Sequence, residues 1–296
     1  MYAFHEHEVS FADEKSGSVF AAPALSAPRS NPGEAPLDIA SLRERLRGCK
    51  YGFPLHYFEN VASTNAVALK LSKEGAAEGT MVLADRQTAG RGRLQRVWQS
   101  PAGCNLYFSV ILRPKIALAK APQLTFLAGV AVADTLASFC PEGVEIKWPN
   151  DVLINQRKVC GILSELNAEQ GKIAAVLGIG VNVNMKKEDF ASEYRQSATS
   201  LREETGRMHP REEVLCSFCT HFQRRYELFL NEGFEPLRQA WLFRTKMVGK
   251  NVRVRFGKEI KAGVVSGLDE DGALLLAGAK GALERIIAGD ATIIKE

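Results

Sequence analysis

The residues best suited to chemistry sit in one short run, Gly90-Arg91-Gly92-Arg93-Leu94-Gln95-Arg96-Val97-Trp98. It holds three arginines and no acid. Arginine presents a planar fork of donors that matches a carboxylate or a phosphate. Glycine lets the main chain approach a ligand closely. The run therefore reads as a cationic loop able to close over an anion, although alone it fits a solvated basic loop equally well. Lys147 and Lys158 add cations further along, Asn150 and Asn182 add amides, and Trp98 and Trp148 add rings. Such a set suits two anions that must react with each other, for instance a carboxylate and a nucleoside triphosphate. Fixed cations remove their repulsion and stabilise the charge that builds on phosphoryl oxygens. Trp98 suits stacking on a purine, while core packing accounts for either tryptophan taken singly.

Several other chemistries find no support. There is no Gly-x-x-x-x-Gly-Lys-Ser/Thr, which excludes a P-loop, and Gly90-x-Gly92 and Gly178-x-Gly180 both lack the third glycine of a dinucleotide fingerprint. No close Ser–His or Cys–His signature points to hydrolysis, although triads assembled in space escape such a search. Of the six cysteines only Cys216-x-x-Cys219 forms a close pair, and no second pair completes a zinc site. That pair falls in a segment read as helix, so packing is its expected role. Reduced thiols and a cytoplasmic setting fit this usage. The isolated His5 and His7 are assigned no metal.

The chain must then supply elements to position the candidates. Its 296 residues, 46% hydrophobic and 24% charged, suffice for a sizeable core and one to three domains. The net charge of +4 permits anionic ligands without marking a nucleic-acid binder. The start shows no basic stretch followed by an apolar core, so no signal peptide is expected. Leu124 to Phe139, interrupted by Asp134, is too short for a membrane span and reads as a buried helix.

Residues 1–36, rich in Pro, Ala, Ser and Gly, read as a disordered tail. Residues 37–53 read as a short helix and linker, with Asp38 as N-cap and Gly48 as stop. They leave no room for a two-helix DNA-reading unit. Strands are expected at Leu55–Glu59, Thr80–Ala84, Asn105–Arg113 and Val144–Trp148. A helix is expected after Ser63-Thr64-Asn65, where Ser63 or Thr64 is a natural N-cap. Its first N–H groups also suit a polar ligand, but capping is the plainer role. Helix is expected again over residues 120–139.

Val152–Ile154 and Val159–Leu166 read as a hairpin turning near Asn155-Gln156, with Gly161 marking a bulge or a close approach. Lys172 to Val183 is an apolar strand ending in Asn182 and Asn184, which alternation places on one side as a floor for a polar ligand. An amphipathic helix over 211–230 uses Val214, Leu215, Phe218, Phe222 and Leu228, and a further helical turn runs through Trp241. After Gly249 short alternating strands and glycine turns suggest a small β-barrel of about fifty residues.

In these motifs the sequence resembles the biotin–protein ligases. The matching segments are Ser63-Thr64-Asn65, Gln87 through Arg93 with Trp98, Lys147-Trp148-Pro149-Asn150-Asp151, Lys158 through Leu163, and Gly178 through Asn182, in the family's order and spacing. The resemblance covers roughly residues 54–296. It implies an α+β fold: a mixed sheet with flanking helices at 54–247, like the catalytic domain of class II aminoacyl-tRNA synthetases and biotin ligases, and an SH3-like barrel at 248–296.

It also implies a ligase of two steps. The carboxylate of biotin attacks the α-phosphorus of MgATP, giving biotinyl-5′-AMP and pyrophosphate. A lysine ε-amine on the biotin carboxyl carrier domain of a carboxylase, such as acetyl-CoA carboxylase, then takes the biotinyl group. ATP, Mg2+ and biotin are thus substrates, with no tightly bound cofactor.

By position, the resemblance assigns Ser63, Thr64, Asn65 and Gln87 to the biotin head-group pocket. Gly90, Arg91, Gly92 and Arg93 become the loop over biotin and the adenylate, with Arg93 retaining the intermediate. Lys158 bridges carboxylate and α-phosphate, and Gly161 presents its backbone. Arg96, Trp98, Lys147, Asn150 and Asn182 face the nucleotide, and Asp151 is a weak candidate for magnesium. Leu94-Gln95 replaces the Arg-Gly of many relatives, removing one cation and one hinge. Neither DNA nor membrane is an expected partner, and the oligomeric state, a homodimer included, stays open. The competing readings are a lipoate–protein ligase, a non-catalytic biotin sensor and a nucleic-acid-binding protein.

Overall fold

The computed structural model describes residues 36–169, 172–278 and 282–294. The tail, including His5 and His7, lies outside the described residues except for Ala35-adjacent Pro36. In chain order the larger part contains α1 (Ile39–Leu46), β1 (Leu55–Val61), α2 (Thr64–Lys73), β2 (Met81–Gln87), β3 (Leu106–Leu112) and α3 (Gln123–Phe139). Then come β4 (Val144–Lys147), β5 (Asp151–Ile154), β6 (Arg157–Glu169), β7 (Lys172–Val181), α4 (Leu201–Thr205), α5 (Arg211–Glu232) and α6 (Glu235–Arg244). The smaller part is all strand: β8 (Asn251–Phe256), β9 (Glu259–Leu268), β10 (Leu274–Ala277), β11 (Leu283–Ile286) and β12 (Asp290–Ile293).

The large sheet runs β1-β2-β3-β7-β6-β5-β4, parallel between β1 and β2 and antiparallel elsewhere. The mixed sheet matches the expected fold class. The β1–β2 crossover is helical, because a parallel pair needs a long connection that returns to the same end. The hairpin of β5 and β6 turns at Asn155 and Gln156, which both take positive φ (48° and 63°). A two-residue hairpin turn needs that conformation, and asparagine tolerates it better than most residues.

α3 is apolar almost all round and is buried by β4 and β6 on one side and by α5 and α6 on the other. Each fully buried Leu, Val or Phe in it contributes about 1.5–3 kcal/mol of transfer free energy. Asp134, the acid inside this run, accepts from Arg225 of α5 and Arg244 of α6, both at 2.7 Å. Paired in this way, a buried carboxylate ties three helices together instead of disrupting the core. On α5 the buried stripe passes through Tyr226 and Phe229, leaving Leu228 half-buried rather than in the core. Cys219 packs in that core and Cys216 is half-buried.

α1 begins after Asp38, whose side chain accepts from Ser41 N at 3.0 Å, as the capping pattern predicts. It is more than a connection, since Leu37, Leu42, Leu46 and Tyr51 all join the main core.

The small sheet is antiparallel in the order β11-β10-β9-β8-β12. Its β9–β10 turn docks on the large domain. Trp148 Nε1 donates to Gly272 O at 3.3 Å, and Gln123 Nε2 donates to Glu270 O at 3.3 Å. Gly272 packs so tightly on Phe126 that a Cβ there would lie 2.8 Å from its ring. Trp148 is 2% exposed, so this tryptophan is a structural peg between domains.

Candidate functional site

Strands β5, β6 and β7, with the end of β2, line a cavity of about 380 Å³. Its deep end begins where β1 hands over to α2. Ser63 occupies the N-cap position but makes no capping bond; the residue is buried and lines the cavity instead. The cap comes from another strand: Gln87 Oε1, at the end of β2, accepts from Thr64 N at 2.9 Å and lies 3.2 Å from Thr64 Oγ1. Gln87 Nε2 in turn donates to Ser100 Oγ at 3.1 Å. Asn65 Nδ2 donates to Glu165 Oε2 at 2.7 Å and to Leu163 O at 3.2 Å. Ser109 Oγ lies 2.6 Å from Asn65 Oδ1 and 2.8 Å from Thr64 Oγ1. The side chains lining the deep end are thus uncharged, and Thr64, Asn65 and Gln87 are held by hydrogen bonds, with the Glu165 carboxylate behind Asn65. Such a network holds one arrangement, because any broken member leaves an unpaired buried group.

Three glycines shape the floor. A Cβ on Gly178 would lie 2.0 Å from Asn65 Oδ1, and one on Gly180 would lie 2.3 Å from Trp98 Nε1. At Gly161 a Cβ would meet Trp98 Cζ3 at 3.0 Å. The indole of Trp98 therefore lies directly against bare strand, which confirms Gly161 as a close approach. The register shift of this hairpin sits nearby, at Val152/Leu153.

The mouth is cationic. Arg91, Arg93, Arg96, Lys147 and Lys158 all line the cavity, against the carboxylates of Asp151 and Asp290. Lys158 Nζ lies 2.6 Å from Asp151 Oδ1 and 5.4 Å from the centroid of the Trp98 ring. The arginine run folds as a small hairpin. Arg91 bridges Val97, Gly92 N donates to Arg96 O at 2.7 Å, and Arg96 N donates to Arg93 O at 3.2 Å. Leu94 and Gln95 take positive φ (53° and 59°) at its tip. Arg93 donates to Asn150 Oδ1 at 3.3 Å, while Asn150 Nδ2 donates to Ile162 O at 2.8 Å. Burial pulls the Arg93 guanidinium below its ordinary value, partly offset by Asp290 and Asp151.

The structure brings together Ser63, Thr64, Asn65, Gln87, Arg91, Gly92, Arg93, Arg96, Trp98, Lys147, Asn150, Asp151, Lys158, Gly161 and Asn182. Gly90 is the exception and does not line the cavity. It lies beneath the hairpin, where a Cβ would come within 2.6 Å of Ser100 Oγ and Trp98 O. Asn182 lines the cavity, but its Nδ2 donates to Thr199 O at 3.0 Å. The expected pair of floor amides is not formed: Asn184 lies past the end of β7 and bonds both backbone groups of His209, at 2.8 and 2.9 Å.

Several residues at the cavity escaped the sequence reading, among them Asp290 on its rim and Ser109 behind Thr64 and Asn65. Ser109 is the one small polar residue in the otherwise apolar and aromatic strand Leu106–Leu112, a signal that was there to be used. Asp290 comes from the other domain, and nothing local marks it.

Comparison with known proteins agrees with this geometry. Residues 57–184 match the biotin/lipoate A/B protein ligase family, and residues 248–292 match the biotin protein ligase C terminal domain. The chain is 39% identical over 255 residues to the bifunctional ligase/repressor BirA of Bacillus spizizenii, covering 86% of this chain and 78% of that protein. It is 39% identical over 224 residues to the biotin–[acetyl-CoA-carboxylase] ligase of Paracoccus denitrificans, covering 74% of this chain and 92% of that one. Among solved structures, the Aquifex aeolicus biotin protein ligase in complex with biotin and ATP superposes with a TM-score of 0.70 at 32% identity, over 82% of this chain and 99% of that one. A neutral pocket under a cationic hairpin, the two matched domains and these relatives lead to one conclusion: the chain belongs to the biotin–protein ligases.

Proposed function

We propose that the protein joins biotin to a lysine of a biotin carboxyl carrier domain, using ATP, with biotinyl-5′-AMP as intermediate. The observation that carries this reading is the division of one cavity into a neutral hydrogen-bonded end and a mouth of five cations. The deep end suits an uncharged, polar head group. The mouth suits the point where a carboxylate meets a triphosphate.

In the first step a carboxylate oxygen bonds to the α-phosphorus and the bond to the β-phosphate oxygen breaks, releasing pyrophosphate. Lys158 stands where it can exchange Asp151 for the incoming anions, so the ammonium is placed before the reaction begins. Arg93, held by Asn150, stabilises the phosphoryl oxygens. In the second step a neutral lysine amine bonds to the acyl carbon, AMP leaves, and the amine loses a proton. Trp98 and the hairpin cover the mixed anhydride and exclude water from it. Ser63, Thr64 and Gln87 contact the head group, while Asn65, fully partnered within the protein, fixes their arrangement.

Magnesium enters as part of the nucleotide complex, with phosphate oxygens and water supplying most of its ligands. Asp151 is the chain's candidate contact for it, but its carboxylate is engaged by Lys158. The acceptor is the carrier domain of a biotin-dependent carboxylase, acetyl-CoA carboxylase being the class named for the Paracoccus relative. The setting is cytoplasmic; no helix among the described residues is long and apolar enough to cross a membrane.

ATP–pyrophosphate exchange tests this reading, run with biotin, with lipoate and with no acid. Biotin-dependent exchange is expected. Exchange with lipoate alone would move the protein to the lipoate ligases, and none with either would leave the biotin-sensor and nucleic-acid-binding readings.

A further inference from the structure

The arginine hairpin has few anchors of its own. Its apolar side chains point to solvent, Leu94 being 63% exposed and Val97 76%. What crosses from the hairpin to the rest of the molecule is charge. Arg96 Nη2 lies 2.6 Å from Asp290 Oδ2, and Arg93 Nη1 lies 3.6 Å from Asp290 Oδ1. Asp290 is the first residue of β12, in register with Arg255 of β8, so its position is set by the small sheet. That sheet is itself seated on the large domain through Trp148 and Gly272. One carboxylate on a fixed support therefore faces two cations on a poorly anchored hairpin.

We propose that Asp290 is a positioning residue, a clasp supplied by the C-terminal domain that keeps the arginine hairpin shut over the cavity. The clasp works in the productive direction. Arg93 is shared between Asp290 and Asn150, and Asn150 is bonded to β6 in the cavity wall, so closing the clasp aims Arg93 inward. Arg96 acts chiefly through Asp290: with its side chain 66% exposed, it is a tether for the hairpin more than a ligand group. The role in retaining an adenylate rests on the proposed function; the clasp itself does not. It gives the smaller domain a part in the reaction without placing it against the reacting atoms.

Limited digestion with trypsin reads the clasp directly, because Arg91, Arg93 and Arg96 are themselves cleavage sites. With no ligand present, Asp290→Ala is expected to speed cutting at these sites by about five-fold, the scale of losing a partly exposed ion pair. Asp290→Glu, which keeps the charge, should restore most of the protection. Thermal melting checks that each variant folds, and Arg96→Gln, which removes its own cleavage site and is therefore read at Arg91 and Arg93, opens the same pair from the exposed side if Asp290→Ala does not.

With biotin and ATP, Asp290→Ala should release more free biotinyl-adenylate per turnover, and Asp290→Glu should release less than Asp290→Ala. Unchanged cutting at Arg91 and Arg93 in both Asp290→Ala and Arg96→Gln, at matched melting temperature, would overturn the clasp. Faster cutting with unchanged adenylate release would overturn its role in positioning. A parental protein without biotin-dependent exchange would instead sink the proposed function, leaving the digestion result to stand by itself.

Discussion

The two ends of the cavity are built on opposite principles. The deep end is lined by uncharged side chains in a hydrogen-bonded set, Thr64, Asn65, Gln87, Ser100 and Ser109, backed by the Glu165 carboxylate on Asn65. The mouth is a set of ion pairs, Lys158–Asp151 and Arg93/Arg96–Asp290, half of it on a hairpin. Neutral networks in a dry site keep one shape, since every alternative strands a polar group. Ion pairs at a wet mouth are held weakly and can be traded for ligand charges. Under the proposed function, recognition falls to the hydrogen-bonded end and charge handling to the ion-paired end.

Substitutions can break this division or sharpen it. The largest effect is expected at the mouth: Lys158→Ala should slow adenylate formation by about two to three decades, as for loss of a key oxyanion donor. Near-normal single-turnover rates would remove that role. At the deep end, Gly178→Ala forces a Cβ onto Asn65, and overpacking of about 1–3 kcal/mol should weaken biotin binding by roughly one to two decades. Titration calorimetry with biotin alone checks it. Next, Arg93→Gly should raise released adenylate about ten-fold, in line with one lost charge-assisted bond, while biotin affinity stays near parental. Chromatography of single-turnover mixtures reads this.

Ser109→Ala should cost about 1–1.5 kcal/mol of stability and a similar loss in biotin binding, by urea titration and calorimetry. If it altered adenylate retention without touching affinity, the division would be wrong. The smallest effect is at the hairpin tip. Gln95→Gly removes a left-handed side-chain penalty of about 1 kcal/mol and should stabilise the folded chain by up to that amount. Destabilisation would show that the tip is not strained.

The sequence made much of this legible because the relevant signals are local. The Asn155-Gln156 turn, the Asp38 cap and the clustered arginines each lie within a few residues of the structure they specify. Ser63 shows where locality misleads: serine before a helix reads as a cap, but Gln87, arriving on a separate strand, takes that task and leaves the serine facing the cavity. Asn184 misleads in the same manner, because the strand ends before it and alternation no longer sets its direction. Asp290 lies 194 residues from Arg96 along the chain, and only the docking of one sheet on another brings them together. α1 is legible as a short helix, but its place in the main core is not, because eight residues carry little information about what they pack against.

The peg of Trp148 in the β9–β10 turn has a consequence for the molecule as a whole. The main core is one cluster with buried residues from both sheets, running from Leu37 to Ala291, while Val82, Ile111 and Val176 pack separately with Ala68 of α2. Neither part can loosen without exposing apolar surface of the other, so heat should meet the chain as one cooperative unit. A calorimetric scan should show a single transition. The C-terminal sheet is then an heirloom of the whole fold and not a module to be cut away: expressed separately, each fragment would present a raw apolar face where its counterpart had been.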